Sequence, residues 1–137
     1  MDEAKKKKLL YVNRRAPHGS IYALESLEVV LVGAAFEQDV TVAFLDDGVF
    51  QLLDGQDTSG IGVKNFSRTF KALGDYEVRK IVVERESLAE RGVDPQDLMQ
   101  ITYEDENEGY TEKPLVRLVD RREMAEIMSQ QDVVLSF

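Results

Sequence analysis

The sequence predicts an α/β protein: a three-layer α/β/α sandwich around a mostly parallel five-stranded sheet, Rossmann-like in architecture. Three observations carry that expectation. Short apolar runs alternate along the chain with stretches of helical spacing. Those runs are apolar at consecutive positions, as strands buried on both faces must be. The length of 137 residues suits a single domain over residues 1–137, with no internal repeat and no linker-like stretch. Strand order is not readable from one sequence.

The elements follow in order. Lys8 to Asn13 is a short apolar strand. Arg14 to Gly19 form a loop broken by Pro17 and Gly19, and Ser20 is placed to cap a helix. From Ile21 to Glu37 the apolar residues Ile21, Leu24, Leu27, Leu31 and Ala34 or Ala35 fall at helical spacing. Val40 to Leu45 is a second strand ended by Asp46-Asp47-Gly48, completing a right-handed parallel unit. Asp54 to Lys64, with Gly55, Gly60 and Gly62, reads as a long loop, and Phe66 to Leu73 as a short helix closed by Gly74. Val78 to Val83 is a third strand. Ser87 to Arg91 is a helical turn closed by Gly92, and Asp94-Pro95 opens another short helix. Glu104 to Glu112 holds five acids and no base and reads as a solvated acidic loop. Leu115 to Val119 is a fourth strand, Arg121 to Gln130 an amphipathic helix using Met124, Ile127 and Met128, and Val133 to Phe137 a last strand.

Composition removes whole classes of function. Hydrophobic residues make up 43% and charged residues 31%, a globular rather than a disordered balance. Lys plus Arg total 17 against 26 Asp plus Glu, a formal charge of −9, which opposes binding of nucleic acid or an anionic membrane. The acidity is uneven: residues 1–68 carry 8 bases and 10 acids, and residues 69–137 carry 9 bases and 16 acids. The Lys5 to Lys8 run reads as a solvated lead-in to the first strand. Asn13-Arg14-Arg15 is no signal-peptide cleavage site, and no apolar run approaches a membrane span, so a cytoplasmic location is expected. With no cysteine and one histidine, the chain offers no disulfide, no thiolate nucleophile and no self-contained transition-metal site.

What chemistry remains is sparse. The loop Asn13 to Ser20 offers two arginines, His18 and backbone N–H groups at a helix start, able to hold an anion. No Gly-x-Gly-x-x-Gly or P-loop pattern accompanies it. Asp46-Asp47 at a strand end resembles a magnesium pair of phospho-acceptor domains. However, the third strand runs into Glu84-Arg85-Glu86 and the fourth into Asp120-Arg121-Arg122, where that pattern fails. There is no Gly-x-Ser-x-Gly elbow, and His18 with Ser20 is not a triad arrangement. No catalytic, cofactor-binding or metal-binding residue is therefore assigned, and no cofactor is expected. Two apolar stretches suggest interaction surfaces instead: Val29 to Phe36, apolar on nearly every side, and Val49-Phe50-Gln51-Leu52-Leu53. Candidate interface or pocket-shaping residues are Arg14, Arg15, Pro17, His18, Gly19, Val49, Phe50, Leu52 and Leu53.

Several blocks in fixed order resemble the TusC/DsrF family of sulfur-relay subunits. They are Ala16-Pro17-His18-Gly19-Ser20 with Glu25 and Leu27, and Asp47-Gly48-Val49-Phe50-Gln51-Leu52-Leu53 with Gly55-Gln56. Phe70-Lys71-Ala72-Leu73 with Tyr76, Ser87-Leu88-Ala89-Glu90-Arg91-Gly92, and the terminal Asp132 to Phe137 follow, so the resemblance spans essentially the whole chain. It implies a DsrEFH-like fold and a cytoplasmic heterohexamer with two copies each of three homologous subunits. Sulfur then travels as persulfide on cysteines of the E-type and H-type subunits, toward the carrier DsrC in intracellular sulfur oxidation. No catalytic residue transfers, because the family's sulfur-carrying position has no cysteine to match here. Persulfide relay requires a thiolate. The implied roles are to build the assembly, to shape a neighbour's cysteine pocket, or to dock the carrier, with Arg14, Arg15 and His18 able to favour a partner thiolate. Two alternatives stay open: an anion- or small-molecule-binding module using Arg14 to Ser20, and a TusC-type subunit of a transfer-RNA thiolation relay.

Overall fold

The computed structural model describes residues 6–18, 22–53, 73, 78 and 80–137. The expected loop over Asp54–Lys64 and, apart from Leu73, the helix over Phe66–Leu73 lie outside them, as do Gly19 and Ser20. The described elements are β1 (Lys8–Asn13), α1 (Tyr22–Ala35), β2 (Asp39–Phe44), a 3-10 segment (Asp46–Leu52), β3 (Lys80–Glu84) and α2 (Arg85–Glu90). A 3-10 turn (Pro95–Asp97) precedes β4 (Thr102–Asp105), β5 (Thr111–Pro114), β6 (Val116–Val119), α3 (Arg121–Ser129) and β7 (Val133–Ser136).

The main sheet has five strands in the order β6-β3-β2-β1-β7, and every pairing in it is parallel. Its register sorts the side chains. Tyr11 pairs with Val42 and Val42 with Ile81, while Val12 pairs with Ala43 and Ala43 with Val82. The first set joins Leu27 and Val30 of α1 in the larger core cluster. Leu10, Val12, Ala43 and Val82 face Met124 of α3 across the other side of the sheet. A slip of one residue would exchange the two sets, so burial on both faces specifies the register. Each fully buried Leu, Ile, Val or Phe contributes about 1.5–3 kcal/mol over its exposed state.

Local chemistry sets the helices. Asp120 caps α3 by accepting from the Glu123 N–H at 2.8 Å. Gly33 lets α1 approach the sheet, since a Cβ there would lie 2.8 Å from the Tyr11 hydroxyl. In the apolar stretch that the second half of α1 opens, Val29, Val32 and the following Phe36 face outward.

One expectation is corrected outright. Glu104–Glu112 is not a solvated loop but most of an antiparallel hairpin, β4 with β5, in which Tyr103 faces Lys113 and Glu104 faces Glu112. Polar contacts build it. The Asp105 carboxylate accepts from the Asn107 N–H at 3.0 Å, and Lys113 Nζ lies 2.8 Å from both Asp105 and Glu108 carboxylates. Those hydrogen bonds, Asp105 first, push the Lys113 pKa up. Gly109 (φ 66) and Tyr110 (φ 62) supply the left-handed turn. Hydrophobic alternation could not announce this hairpin, because its strands are mainly solvent-facing.

Candidate functional site

In parallel α/β sheets ligands gather beyond the carboxyl ends of the strands. Here those ends bring the loop after β1 against the 3-10 segment after β2. The contact is between backbones: a Cβ on Gly48 would lie 1.8 Å from the Asn13 carbonyl oxygen, which also accepts from the Leu45 N–H at 3.1 Å. Asn13 is 1% exposed, and among the described residues neither its Oδ1 nor its Nδ2 has a hydrogen-bond partner. Gln51, equally buried, donates from Nε2 to the Arg15 carbonyl at 2.8 Å, and its Oε1 has no partner among the described residues. The β7 end joins the same corner, with the Arg14 N–H donating to the Phe137 carbonyl at 2.9 Å.

The sequence-predicted residues divide here. Arg14 Nε donates to Asp46 Oδ2 at 3.0 Å, and the Arg15 guanidinium lies 3.9 Å from the Tyr22 ring centroid, a cation–π contact. Pro17 is buried and His18 half-buried. Val49 and Leu52 are wholly buried in the chain's own core, while Phe50 and Leu53 are half-buried. A cleft of about 370 Å³ is lined by Arg14, Arg15, Asp46, Asp47, Ser136 and Phe137. Its two arginines meet two aspartates, and Asp47 also binds Arg91 Nε at 2.9 Å, so the lining carries no excess of positive charge. Asp46 adopts φ 52, a left-handed conformation that Asp accepts more readily than most residues.

A second constellation escaped the sequence reading. Glu84, buried at the end of β3, accepts at Oε1 from Ser87 Oγ (2.9 Å), Arg121 Nη2 (2.9 Å) and Arg121 Nε (3.2 Å). Ser87 Oγ in turn accepts from the Asp46 N–H at 2.8 Å. Arg121 also reaches Glu90 at 3.1 Å. Hydrogen bonding to Glu84 first, then Glu90, pushes the guanidinium pKa further up. The chain of bonds ties the ends of β2 and β3 to the start of α3. The signal was an acid after one strand and a base after another, and it is legible only once β3 and β6 are known to be neighbours.

Two larger cavities lie elsewhere. One of about 540 Å³ includes Lys8, Asp39 and Lys80 at the amino ends of β1, β2 and β3. One of about 440 Å³ lies between residues 95–102 and β6. Neither is lined by any of the candidate interface residues named from the sequence. Among the described residues no group of three or more His, Cys, Asp or Glu is placed to hold a metal ion, and no helix is long and apolar enough to cross a membrane. Among the described residues the carboxyl-end corner thus carries hydrogen-bonding groups and ion pairs, and the chain has no cysteine to add a thiol to them.

Sheet order, flanking helices and the position of this corner define a Rossmann-like α/β domain. The solved structure of the YchN protein from Escherichia coli shares that fold, with a TM-score of 0.69 over 97% of this chain and 100% of that one, at 20% identity. Residues 7–137 match the DsrE/DsrF-like family, and the chain belongs to it. It is 55% identical over 131 residues to the intracellular sulfur oxidation protein DsrF of Allochromatium vinosum, covering 96% of each chain. It is 42% identical over 91 residues to a TusC homolog of Vibrio parahaemolyticus, covering 66% of this chain and 77% of that one.

Proposed function

We propose that this chain is a non-catalytic subunit of a cytoplasmic sulfur-transfer heterohexamer acting in intracellular sulfur oxidation. The assembly holds two copies each of three homologous subunits, and the persulfide is carried on cysteines of the E-type and H-type partners before passing toward DsrC. One observation carries the reading: the chain is similar over nearly its whole length to DsrF, yet it contains no cysteine. A sulfane sulfur is held and passed on by thiolates, so a chain without one cannot be a covalent station. Its part is to build the assembly and border a partner's reaction site. Arg14, Arg15, Pro17 and His18 then form a rim at the carboxyl end of the sheet, with Val49 and Leu52 supporting it from the core.

Co-expression with the E-type and H-type subunits, followed by native mass measurement, tests the assembly. A stable hexamer is expected, and a chain that stays apart from both partners overturns the proposal. Alkylation trapping of persulfide in that complex should mark only partner cysteines. The similarity to a TusC homolog supports a second destination for the same chemistry, transfer-RNA thiolation. The longer and higher similarity to DsrF favours sulfur oxidation. Deletion of the gene separates them: loss of sulfur oxidation with normal thiolated transfer RNA is the expected outcome.

A further inference from the structure

Arg14 on the rim is aimed by residues that lie well away from it. Its Nε meets Asp46 Oδ2 at 3.0 Å, with the two side chains 58% and 38% exposed. An ion pair in that much solvent contributes little by itself and fixes no geometry. The geometry comes instead from the backbone of Asp46, which adopts φ 52. A residue other than glycine stays in the left-handed region only where its surroundings hold it there. Here α2 supplies the hold. The Asp46 N–H donates to Ser87 Oγ at 2.8 Å. The next residue, Asp47, accepts at Oδ1 from Arg91 Nε at 2.9 Å, and Arg91 Nη1 donates to the Ser87 carbonyl at 3.3 Å.

Ser87 is held in turn. It is wholly buried, and its single hydroxyl proton goes to Glu84 Oε1 at 2.9 Å. That donation turns the lone pairs of the oxygen toward the Asp46 N–H and strengthens it as an acceptor. Glu84 is 5% exposed, and Arg121 grips the same Oε1 with Nη2 at 2.9 Å and Nε at 3.2 Å. A buried carboxylate keeps its place while its counter-charge and hydrogen bonds are present. The order of dependence therefore runs from Arg121 at the start of α3 to Glu84 at the end of β3 and Ser87 in α2. From there it passes to Asp46 after β2 and ends on Arg14 after β1.

We propose that Asp46, Ser87 and Glu84 are positioning residues for Arg14, anchoring its guanidinium by Nε so that the Nη nitrogens are presented to a thiolate of a partner subunit. A guanidinium is a rigid planar fork, so fixing one nitrogen fixes the direction of the other donors. Direction matters here because Arg14 lines the cleft with Arg15, Asp46 and Asp47, whose charges balance. Such a cleft selects an anion by where its donors point rather than by a general positive field. The use given to Arg14 rests on the function proposed above, whereas the positioning is a property of this chain alone.

The two are tested separately. Solvent exchange of the Asp46 amide and the Arg14 Nε–H is followed by nuclear magnetic resonance on the nitrogen-15-labelled full-length chain. The amide of Val42, in the middle of β2, measures global opening. Ser87→Ala should speed exchange of both protons by about tenfold relative to Val42. Arg121→Ala touches neither Asp46 nor Arg14, yet it should speed the same protons by at least about twofold, and Arg121→Lys should restore most of the loss. Arg117→Ala removes another exposed arginine paired with a glutamate and should leave both unchanged. Unaltered exchange in Ser87→Ala overturns the proposal, as does an acceleration that Val42 shares in full or that Arg117→Ala reproduces. An effect of Ser87→Ala with none from Arg121→Ala removes Glu84 from the positioning set. In the complex co-expressed with the E-type and H-type subunits, Arg14→Gln and Ser87→Ala should both slow alkylation of the partner cysteine by iodoacetamide several-fold. A rate that neither variant changes overturns the use given to the Nη nitrogens, and the exchange data distinguish that outcome from a failure of the positioning.

Discussion

Gly48 provides the sharpest energetic test of how the carboxyl-end corner is built. Its φ is not left-handed, so the need for glycine is steric: a Cβ would stand 1.8 Å from the Asn13 carbonyl oxygen, 2.5 Å from its carbon and 3.1 Å from the Arg14 nitrogen. All three obstacles are backbone atoms, which cannot rotate aside. Restoring an ordinary C···O separation of about 3.3 Å requires the 3-10 segment and β1 to part by about 1.5 Å. That movement breaks the Leu45 N–H bond to Asn13 and the Gln51 bond to the Arg15 carbonyl. Each is worth about 1 kcal/mol net. It also unseats Val49 and Leu52, both wholly buried, at a further cost of about 1–3 kcal/mol. Gly48→Ala should therefore lose about 3–5 kcal/mol, a large part of the roughly 5–15 kcal/mol that holds a typical domain together. Urea unfolding followed by circular dichroism measures it. Gly109→Ala is the control, since Gly109 has φ 66 and open space around it, so only backbone strain of about 1–2 kcal/mol applies. If Gly48→Ala proves no more damaging than Gly109→Ala, the backbone contact is not what positions the corner.

Three further outcomes are expected. Burial pushes the Tyr11 pKa above 10.0, so the folded state resists ionisation while the unfolded chain ionises near 10. Stability from this source is complete below that value and lost as pH rises toward and through the folded pKa. Melting temperatures at increasing alkalinity should fall more steeply for the native chain than for Tyr11→Phe. Arg121→Ala takes the counter-charge from the buried Glu84 carboxylate and leaves it the Ser87 hydroxyl, whereas Glu84→Gln leaves Arg121 in solvent beside Glu90. Arg121→Ala should thus have the lower unfolding midpoint in urea; the reverse order would refute the pairing argument. Glu104 and Glu112 face each other directly in the hairpin. Glu104→Lys should stabilise the fold by about 0.2–1 kcal/mol, and added salt should shrink the gain in melting temperature.

Legibility in the sequence followed apolar patterning. The runs read as Lys8–Asn13, Val40–Leu45, Leu115–Val119 and Val133–Phe137 match β1, β2, β6 and β7 to within a residue, because strands in a parallel sheet declare themselves by continuous apolarity. The amphipathic spacing of Met124, Ile127 and Met128 identified α3 for the same reason. The hairpin was missed because Thr102 to Pro114 is held by Asp105, Lys113 and a left-handed turn rather than by an apolar face. At the candidate site, Arg14 and Arg15 were recognised as chemically notable, but their partners Asp46 and Tyr22 lie on other elements. Val49 and Leu52 looked like contact residues because apolarity alone does not distinguish a core from an interface.

The sequence by itself determined the layered α/β class, the strongly acidic surface and the lack of any thiolate. These depend on local pattern or on composition, and no folding can add a cysteine. The tertiary structure decided everything that depends on which strands are neighbours. The order β6-β3-β2-β1-β7 brings Glu84 to Arg121, seats Gly48 on Asn13 and sets β7 at an edge of the sheet. Those juxtapositions join residues tens of positions apart, and they are set by the packing of whole elements rather than by the chemistry of any one segment.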